Sequence, residues 1–255
     1  MKETGTPQMI AILLAAGYAT RLYPLTKDNP KSLLPLGSRL IIDYIMDSVD
    51  LLPDITKVVL VTNSKFFQKF SDWASSQDRE GKAPIVVLDD GTTDDTNKRG
   101  AIGDIIFTID ELGIDEDICI LAGDNIFTYS IENMYGFFKE KNAPTLIAIK
   151  VPDVEQRKKL AVAVIDDDGR ITDMEEKPSE PKSDLAIYAT YFYGKDIIPM
   201  IREYLSEGGS PDAPGNFPSW LYKKVPVYAF EGDGACIDIG TLENYEKTCR
   251  DYEDR

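Results

Sequence analysis

"AILLAAGYATRLYPLTKDNPKSLLPLG", residues 11–37, changes character partway along. An apolar run ends at Gly17, and the following stretch carries Thr20, Arg21, Pro24, Thr26, Pro30 and Lys31 with little helical pattern. A continuous apolar run reads as a strand covered on both faces, which is how strands of a parallel α/β sheet read. Ligands of such sheets sit beyond the carboxyl ends of the strands. Gly17 lets a ligand approach the backbone with no Cβ in the way. Arginine offers a bidentate fork to phosphate and lysine a mobile point charge. Pro24, Pro30 and Pro35 stiffen the loop that carries them. These residue types suit a polyphosphate. A solvated strand-to-helix loop uses the same types, so spacing has to separate the two readings.

The flanking sequence supports the sheet. "SRLIIDYIMDSVDLL" has Ile41, Ile45, Val49 and Leu52 at helical spacing, with Ser38 as the expected N-cap. "KVVLVTN", "APIVVLDD" and "DICILAGDN" read as strands. "SKFFQKFSDWASSQ" and "GAIGDIIFTIDELG" between them read as helices. Strands alternating with helices predict βαβ units and a mostly parallel sheet. Its ligand edge then holds Gly17 onward, Asp89 to Gly91, and Gly123-Asp124-Asn125. The second half differs. "AVAVIDDDGRITDMEEKP" (161–178) is a hairpin around an Asp-Asp-Gly turn, and "LAIYATYFYG" (185–194) is an aromatic-rich strand. A helix around "DIIPMIREYLSEGG", a Gly/Pro/Ser-rich loop at 208–218, the short "NFPSWLYKK" and strands "VPVYAF" and "ACIDIG" follow. Thr241 caps a final helix. One domain is expected over 1–255. Its first part covers about 8–150, a smaller β-rich lobe about 151–241 with a return to the core sheet, and a C-terminal helix 241–255.

Composition narrows the partners. The chain has 255 residues, 43% of them hydrophobic, an ordinary globular content long enough for a sizeable core. Asp plus Glu number 44 against 28 Lys plus Arg, a formal charge of −16. That acidity argues against a nucleic-acid polymer and against an anionic membrane as partner. A local Lys/Arg cluster can still draw a small anion into one cleft. No apolar run approaches a membrane span and no signal-peptide core opens the chain. Cys119, Cys236 and Cys249 have no framework spacing and fit a reducing cytoplasm. Histidine is absent, so any general base or metal ligand is a carboxylate or weaker.

The spacing Gly17-x-x-Thr20-Arg21-x-x-Pro24-Leu25-Thr26, then Pro30-Lys31-x-Leu33-Leu34-Pro35, resembles the signature of the sugar-phosphate nucleotidylyltransferases. Within them it is most similar to the group containing glucose-1-phosphate thymidylyltransferase. "AGDNIF" (122–127), "EEKP" (175–178), "YFY" (191–193) and "DIGT" (238–241) continue the resemblance in the family's order, across residues 9–250. It implies a Rossmann-like nucleotidyltransferase fold, a mostly parallel mixed sheet flanked by helices. It also implies transfer of NMP from a nucleoside triphosphate, dTTP or UTP foremost and CTP as well, to a sugar-1-phosphate with release of pyrophosphate. By resemblance, the part over about 8–150 binds the nucleotide and the lobe over about 151–241 the acceptor: Ala15, Ala16, Gly17, Thr20, Arg21, Lys31, Gly100 and Asp124 bind the nucleotide, Arg21 holding the leaving pyrophosphate and Lys31 acting at the α-phosphate or the leaving side. Asp124 and Asp238 bind Mg²⁺. Lys177 takes the acceptor's phosphate, Glu176 a sugar hydroxyl, and Asn125 and Tyr191 complete the acceptor pocket.

The chain departs from the thymidylyltransferase pattern at its pockets. Ala19 stands where that pattern has a second glycine, and Ala15-Ala16-Gly17 replaces Ala-Gly-Gly. A pyrimidine-reading glutamine falls at Gly103, and a Tyr-Gly pair of the sugar pocket at Leu160-Ala161. A non-hexose phosphate acceptor therefore stays open as an alternative. So do a GT-A glycosyltransferase, which needs a metal-binding Asp-x-Asp at a strand end, and a catalytically silent nucleotide sensor, which would lose Lys31 or one aspartate. Asp166-Asp167-Asp168 reads as a turn. No appended domain is expected after "DIGT", and the oligomeric state stays open between monomer and homo-oligomer.

Overall fold

The computed structural model describes residues 8–253, except for the side chain of Asp238. In chain order the strands are β1 (Met9–Leu14), β2 (Pro35–Leu36), β3 (Arg39–Leu40), β4 (Ile55–Thr62), β5 (Ile85–Asp89), β6 (Asp117–Ala122), β7 (Asn125–Phe127), β8 (Thr145–Lys150), β9 (Ala161–Ile165), β10 (Ile171–Glu176), β11 (Leu185–Tyr193), β12 (Tyr228–Glu231) and β13 (Cys236–Asp238). The helices are α1 (Ile41–Val49), α2 (Phe67–Ser76), α3 (Ala101–Leu112), α4 (Ile131–Lys141), α5 (Val154–Arg157), α6 (Ile198–Ser206), α7 (Asn216–Leu221) and α8 (Leu242–Tyr252).

The apolar run at residues 9–14 is buried because β1 pairs in parallel on both edges, with β4 and with β6. Its alternate residues feed two cores. Met9, Ala11 and Leu13 pack with side chains of α1, α2, α4 and α8, among them Ile45, Phe70, Phe138 and Tyr252. Ile10 and Ile12 pack with Ile105 and Ile109 of α3, Ile201 of α6 and Leu221 of α7. One strand thus holds two helical layers apart, with the period of two that a pleated strand imposes. The sheet runs β10-β9-β11-β6-β1-β4-β5, with β8 and β12 attached through β11. It is parallel from β6 to β5, and β11 enters antiparallel to β6. The fold is therefore the mixed, mostly parallel α/β sheet flanked by helices that the sequence implies. The hairpin β9–β10 extends this same sheet, so the residues after 150 continue the core sheet.

Two local features differ from the sequence reading. Ser38 does not cap α1: the helix begins at Ile41, and the Asp43 carboxylate reaches back to accept from Leu40 N–H at 2.9 Å. That bond is the return half of a capping box, and the first helical N–H, that of Ile41, donates to the Leu34 carbonyl at 3.1 Å. Strand β8, buried along Thr145–Ile149, was not anticipated; it carries β12 and half of β11. The Asp-Asp-Gly turn behaves as read. Asp166 accepts from the N–H groups of Asp168 and Arg170 at 3.0 and 2.9 Å, and Gly169 takes φ +81°. Thr241 caps α8, accepting from Asn244 N–H at 3.2 Å. Among the described residues no helix is long and apolar enough to cross a membrane.

Candidate active site

The carboxyl ends of β1 and β6 and the loop after β5 open into one cleft of about 470 Å³. Ala15, Ala16, Gly17, Thr20, Arg21, Lys31, Gly100 and Asp124 all line it, so every expected nucleotide-binding residue meets in one place.

Each is held by a local device. The Thr62 hydroxyl and the Asn63 amide donate to the carbonyls of Ala15 and Ala16 at 3.2 and 2.9 Å, fixing the peptide planes of the turn after β1. Ala19 has φ +45°, the left-handed region in which a glycine costs least, and its carbonyl is held by Thr26 Oγ1 at 2.7 Å. The short turn Lys31–Leu33 follows Pro30 and buries Lys31 to 6% exposure, with Nζ 3.0 Å from Asp124 Oδ2. Arg21 stays exposed at the cleft. Gly123 lets the end of β6 approach β1: a Cβ there would meet the Leu14 carbonyl at 3.0 Å. That approach carries Asp124, 39% exposed, onto the wall beside Lys31.

Asp238 ends β13, and its Cα lies opposite Asn125, next in sequence to Asp124. Its side chain lies outside the described residues. Among the described residues no group of three or more His, Cys, Asp or Glu gathers to hold a metal. The described donor at this end is the Asp124 carboxylate, one oxygen of which pairs with Lys31; carboxylate oxygen is the hard donor type that Mg²⁺ takes together with phosphate and water.

The acceptor candidates lie elsewhere. Asn125 begins β7, beside the cleft and not on its lining. Tyr191 is 2% exposed, stacked on Tyr193 with ring centroids 5.8 Å apart, and belongs to the core under β11. Glu176 ends β10 half-buried; burial pushes its carboxyl above the usual range, and Lys177, 3.9 Å away, offsets part of this. Lys177 is exposed and takes φ +50°. The loop at 211–215 lies against Glu176, since a Cβ on Gly215 would collide with its carboxylate.

That loop is also a wall of the cleft, through Asp212 and Pro214. It docks on the start of α3. Ala101 and Ile102 N–H donate to the carbonyls of Asp212 and Pro211 at 3.0 and 2.9 Å, satisfying the first open donors of the helix. Gly100 makes this contact fit: it takes φ +80°, and a Cβ would sit 2.5 Å from the Pro211 carbonyl.

The sequence reading missed four charged contributors to the lining: Asp95, Lys98, Asp104 and Asp212. It reached Asp90 only as part of a strand end. A signal for Asp104 exists: it interrupts the apolar residues of α3, Ile102, Ile105 and Ile109, with an acid.

The chain is 30% identical over 251 residues to a glucose-1-phosphate adenylyltransferase of Clostridium novyi, covering 93% of this chain and 65% of that protein's length. A crystal structure of UDP-glucose pyrophosphorylase complexed with UDP-glucose superposes with a TM-score of 0.81 at 20% identity, over 96% of this chain and 98% of that one. A Bacillus anthracis structure assigned as a glucose-1-phosphate thymidylyltransferase superposes with a TM-score of 0.78 at 24% identity, over 97% and 96%. The nucleotidyl transferase family model matches residues 10–255, and the chain belongs to that family.

Proposed function

We propose that the protein is a sugar-phosphate nucleotidylyltransferase that joins the NMP of a nucleoside triphosphate to a sugar-1-phosphate and releases pyrophosphate. The observation that carries the reading is the Gly17 turn, Arg21, Lys31 and Asp124 on one cleft at the ends of β1 and β6. A phosphate oxygen of the acceptor attacks the α-phosphorus. The new P–O bond forms as the bond to the β-phosphate oxygen breaks, and the electron pair leaves with pyrophosphate. The nucleophile is already an anion, so no general base is required, in keeping with a chain that has no histidine. Catalysis then consists of positioning and neutralising charge. Arg21 takes the leaving pyrophosphate through its fork. Lys31, buried and held by Asp124, offers a fixed charge to the α-phosphate. Asp124 and Asp238 are the residues that would hold Mg²⁺, which when bound would supply charge neutralisation at the phosphates. Lys177 supplies a point charge to the acceptor's phosphate, reached from the β10 side of the 211–215 loop.

The relatives named above act with different bases, so the pyrimidine preference, dTTP or UTP, rests on the sequence resemblance alone. The test is pyrophosphate release with Mg²⁺, the five triphosphates ATP, GTP, CTP, UTP and dTTP, and a panel of sugar-1-phosphates and other phosphomonoesters. Release that needs both substrates and stops in excess EDTA is expected. Hydrolysis of triphosphate without acceptor, or full turnover in EDTA, refutes the reading.

A further inference from the structure

Two acids outside the proposed chemistry face each other at the β5 side of the cleft. Asp90, after β5, is 1% exposed and Asp104, in the first turn of α3, is 5% exposed. Both line the cleft. Asp90 Oδ1 accepts from Thr92 N–H at 2.7 Å and Thr92 Oγ1 at 2.6 Å. Asp90 Oδ2 and Asp104 Oδ1 are buried and have no partner among the described residues. Two facing, buried acceptors cannot bond to one another, and leaving each unpaired costs about 1–3 kcal/mol. One proton between them answers both. It makes Asp104 the donor to Asp90 through an O–H···O bond.

Asp104 is the member that carries the proton. Burial first, and Asp90 second, push its carboxyl up to about 8. The Arg99 charge offsets part of this rise, and its guanidinium is engaged elsewhere. Arg99 spends Nε on the Asp90 backbone carbonyl at 2.6 Å and lays its guanidinium over the Phe107 ring at 4.4 Å. The other charges on this wall are Asp95, Lys98 and Asp212, with Lys98 tied to Asp212 at 3.1 Å. On the α6 side of α3 Arg202 pairs with Asp110, nearly two turns beyond Asp104. With Oδ1 committed to Asp90, Asp104 keeps Oδ2 as a neutral, carbonyl-like acceptor for whatever occupies the cleft.

The sheet order says what that occupant is. Asp90 follows β5, the Gly17 turn follows β1 and Asp124 follows β6, and these three stations lie in that order along one cleft. Under the proposed reaction the phosphates lie over the middle station and the acceptor enters from the side of β11 and β10. The nucleoside is left the β5 side.

We infer that the Asp90–Asp104 pair, sharing one proton, is a base-reading element of the nucleotide site, in which Asp104 Oδ2 accepts an N–H from the nucleobase. The inference rests on the nucleotidylyltransferase reading. The chemistry it selects is a base edge that presents an amino or imide N–H. Carrying one negative charge in place of two, the pair also repels the incoming triphosphate less than two carboxylates would.

The test is calorimetric titration of ATP, GTP, CTP, UTP, dTTP and inorganic tripolyphosphate into the wild type, Asp104→Asn and Asp104→Leu. The wild type should rank the five nucleotides. Asp104→Leu should bind the preferred one about tenfold more weakly, about 1.4 kcal/mol, the scale of one hydrogen bond. Asp104→Asn should stay within about threefold, because its amide N–H serves Asp90 and its carbonyl serves the base. Tripolyphosphate, which has no base, should bind all three alike. Equal loss of nucleotide and tripolyphosphate in Asp104→Leu assigns the pair a structural role and overturns the inference. So does an asparagine variant as impaired as the leucine one. Asp104→Ser carries the leucine expectations should that variant not fold. A wild type that binds no nucleotide overturns the proposed function as well. A wild type that binds one, with an unaffected Asp104→Leu, overturns this inference alone.

Discussion

Asp104→Asn should change how stability depends on pH. In the unfolded chain an aspartate loses its proton near 3.8, and in the fold Asp104 keeps it to about 8. Between those values the native state binds one more proton than the unfolded state, so this residue's contribution is complete below pH 3.8 and declines as pH rises to about 8. The span is 8 − 3.8, about 4.2 units. At about 1.4 kcal/mol per unit the ceiling is on the order of 6 kcal/mol. Asparagine has no proton to lose and keeps the hydrogen bond to Asp90 Oδ2. The variant should therefore gain on the wild type steadily from pH 4 to pH 8 and no further above it. Urea unfolding of both proteins across pH 4 to 9 measures the gap, and the other titrating groups cancel in the difference. A gap that stays constant from pH 4 to pH 8 means that Asp104 is already ionised in the fold, and the shared-proton account fails.

Gly100→Ala should cost about 2 kcal/mol, since the residue must keep φ +80° with its Cβ 2.5 Å from the Pro211 carbonyl; an unchanged melting temperature counts against the docking of this loop on α3. Ala19→Gly should stabilise by about 0.5–1 kcal/mol, relief of left-handed strain at φ +45° exceeding the added chain entropy, read by urea denaturation. Lys31→Ala should lower kcat by roughly 10²- to 10³-fold with less effect on KM, as expected when a fixed charge acts in the transition state. A rise in KM alone makes Lys31 a ground-state anchor. Lys177→Ala should weaken acceptor binding by about 1.5–3 kcal/mol, the scale of a hydrogen bond to a charged group, and leave nucleotide binding in the absence of acceptor nearly unchanged; calorimetry giving the reverse pattern removes Lys177 from the acceptor side.

The sequence alone carried the sheet and one end of the cleft. An apolar run such as Met9–Leu14 is readable because burial on both faces leaves its mark on every residue. The turn from Gly17 to Lys31 is readable because its glycine, prolines and cations are local choices made for one short loop. Helix boundaries were less legible: Ser38 looked like a cap, yet Asp43 does the work from inside the helix. What the tertiary structure decided is what faces what. Tyr191 belongs to a motif strand, but the alternation of β11 turns it into the core. Lys31 and Asp124 are paired by the adjacency of β1 and β6, which no local pattern records. Asp104 looked like a charge on an ordinary helix until Asp90, from the loop after another strand, came to face it. Local sequence encodes what each segment can bury and where it can turn. The proton that an acid holds depends on its burial and on its neighbours, and both are set only when distant segments pack.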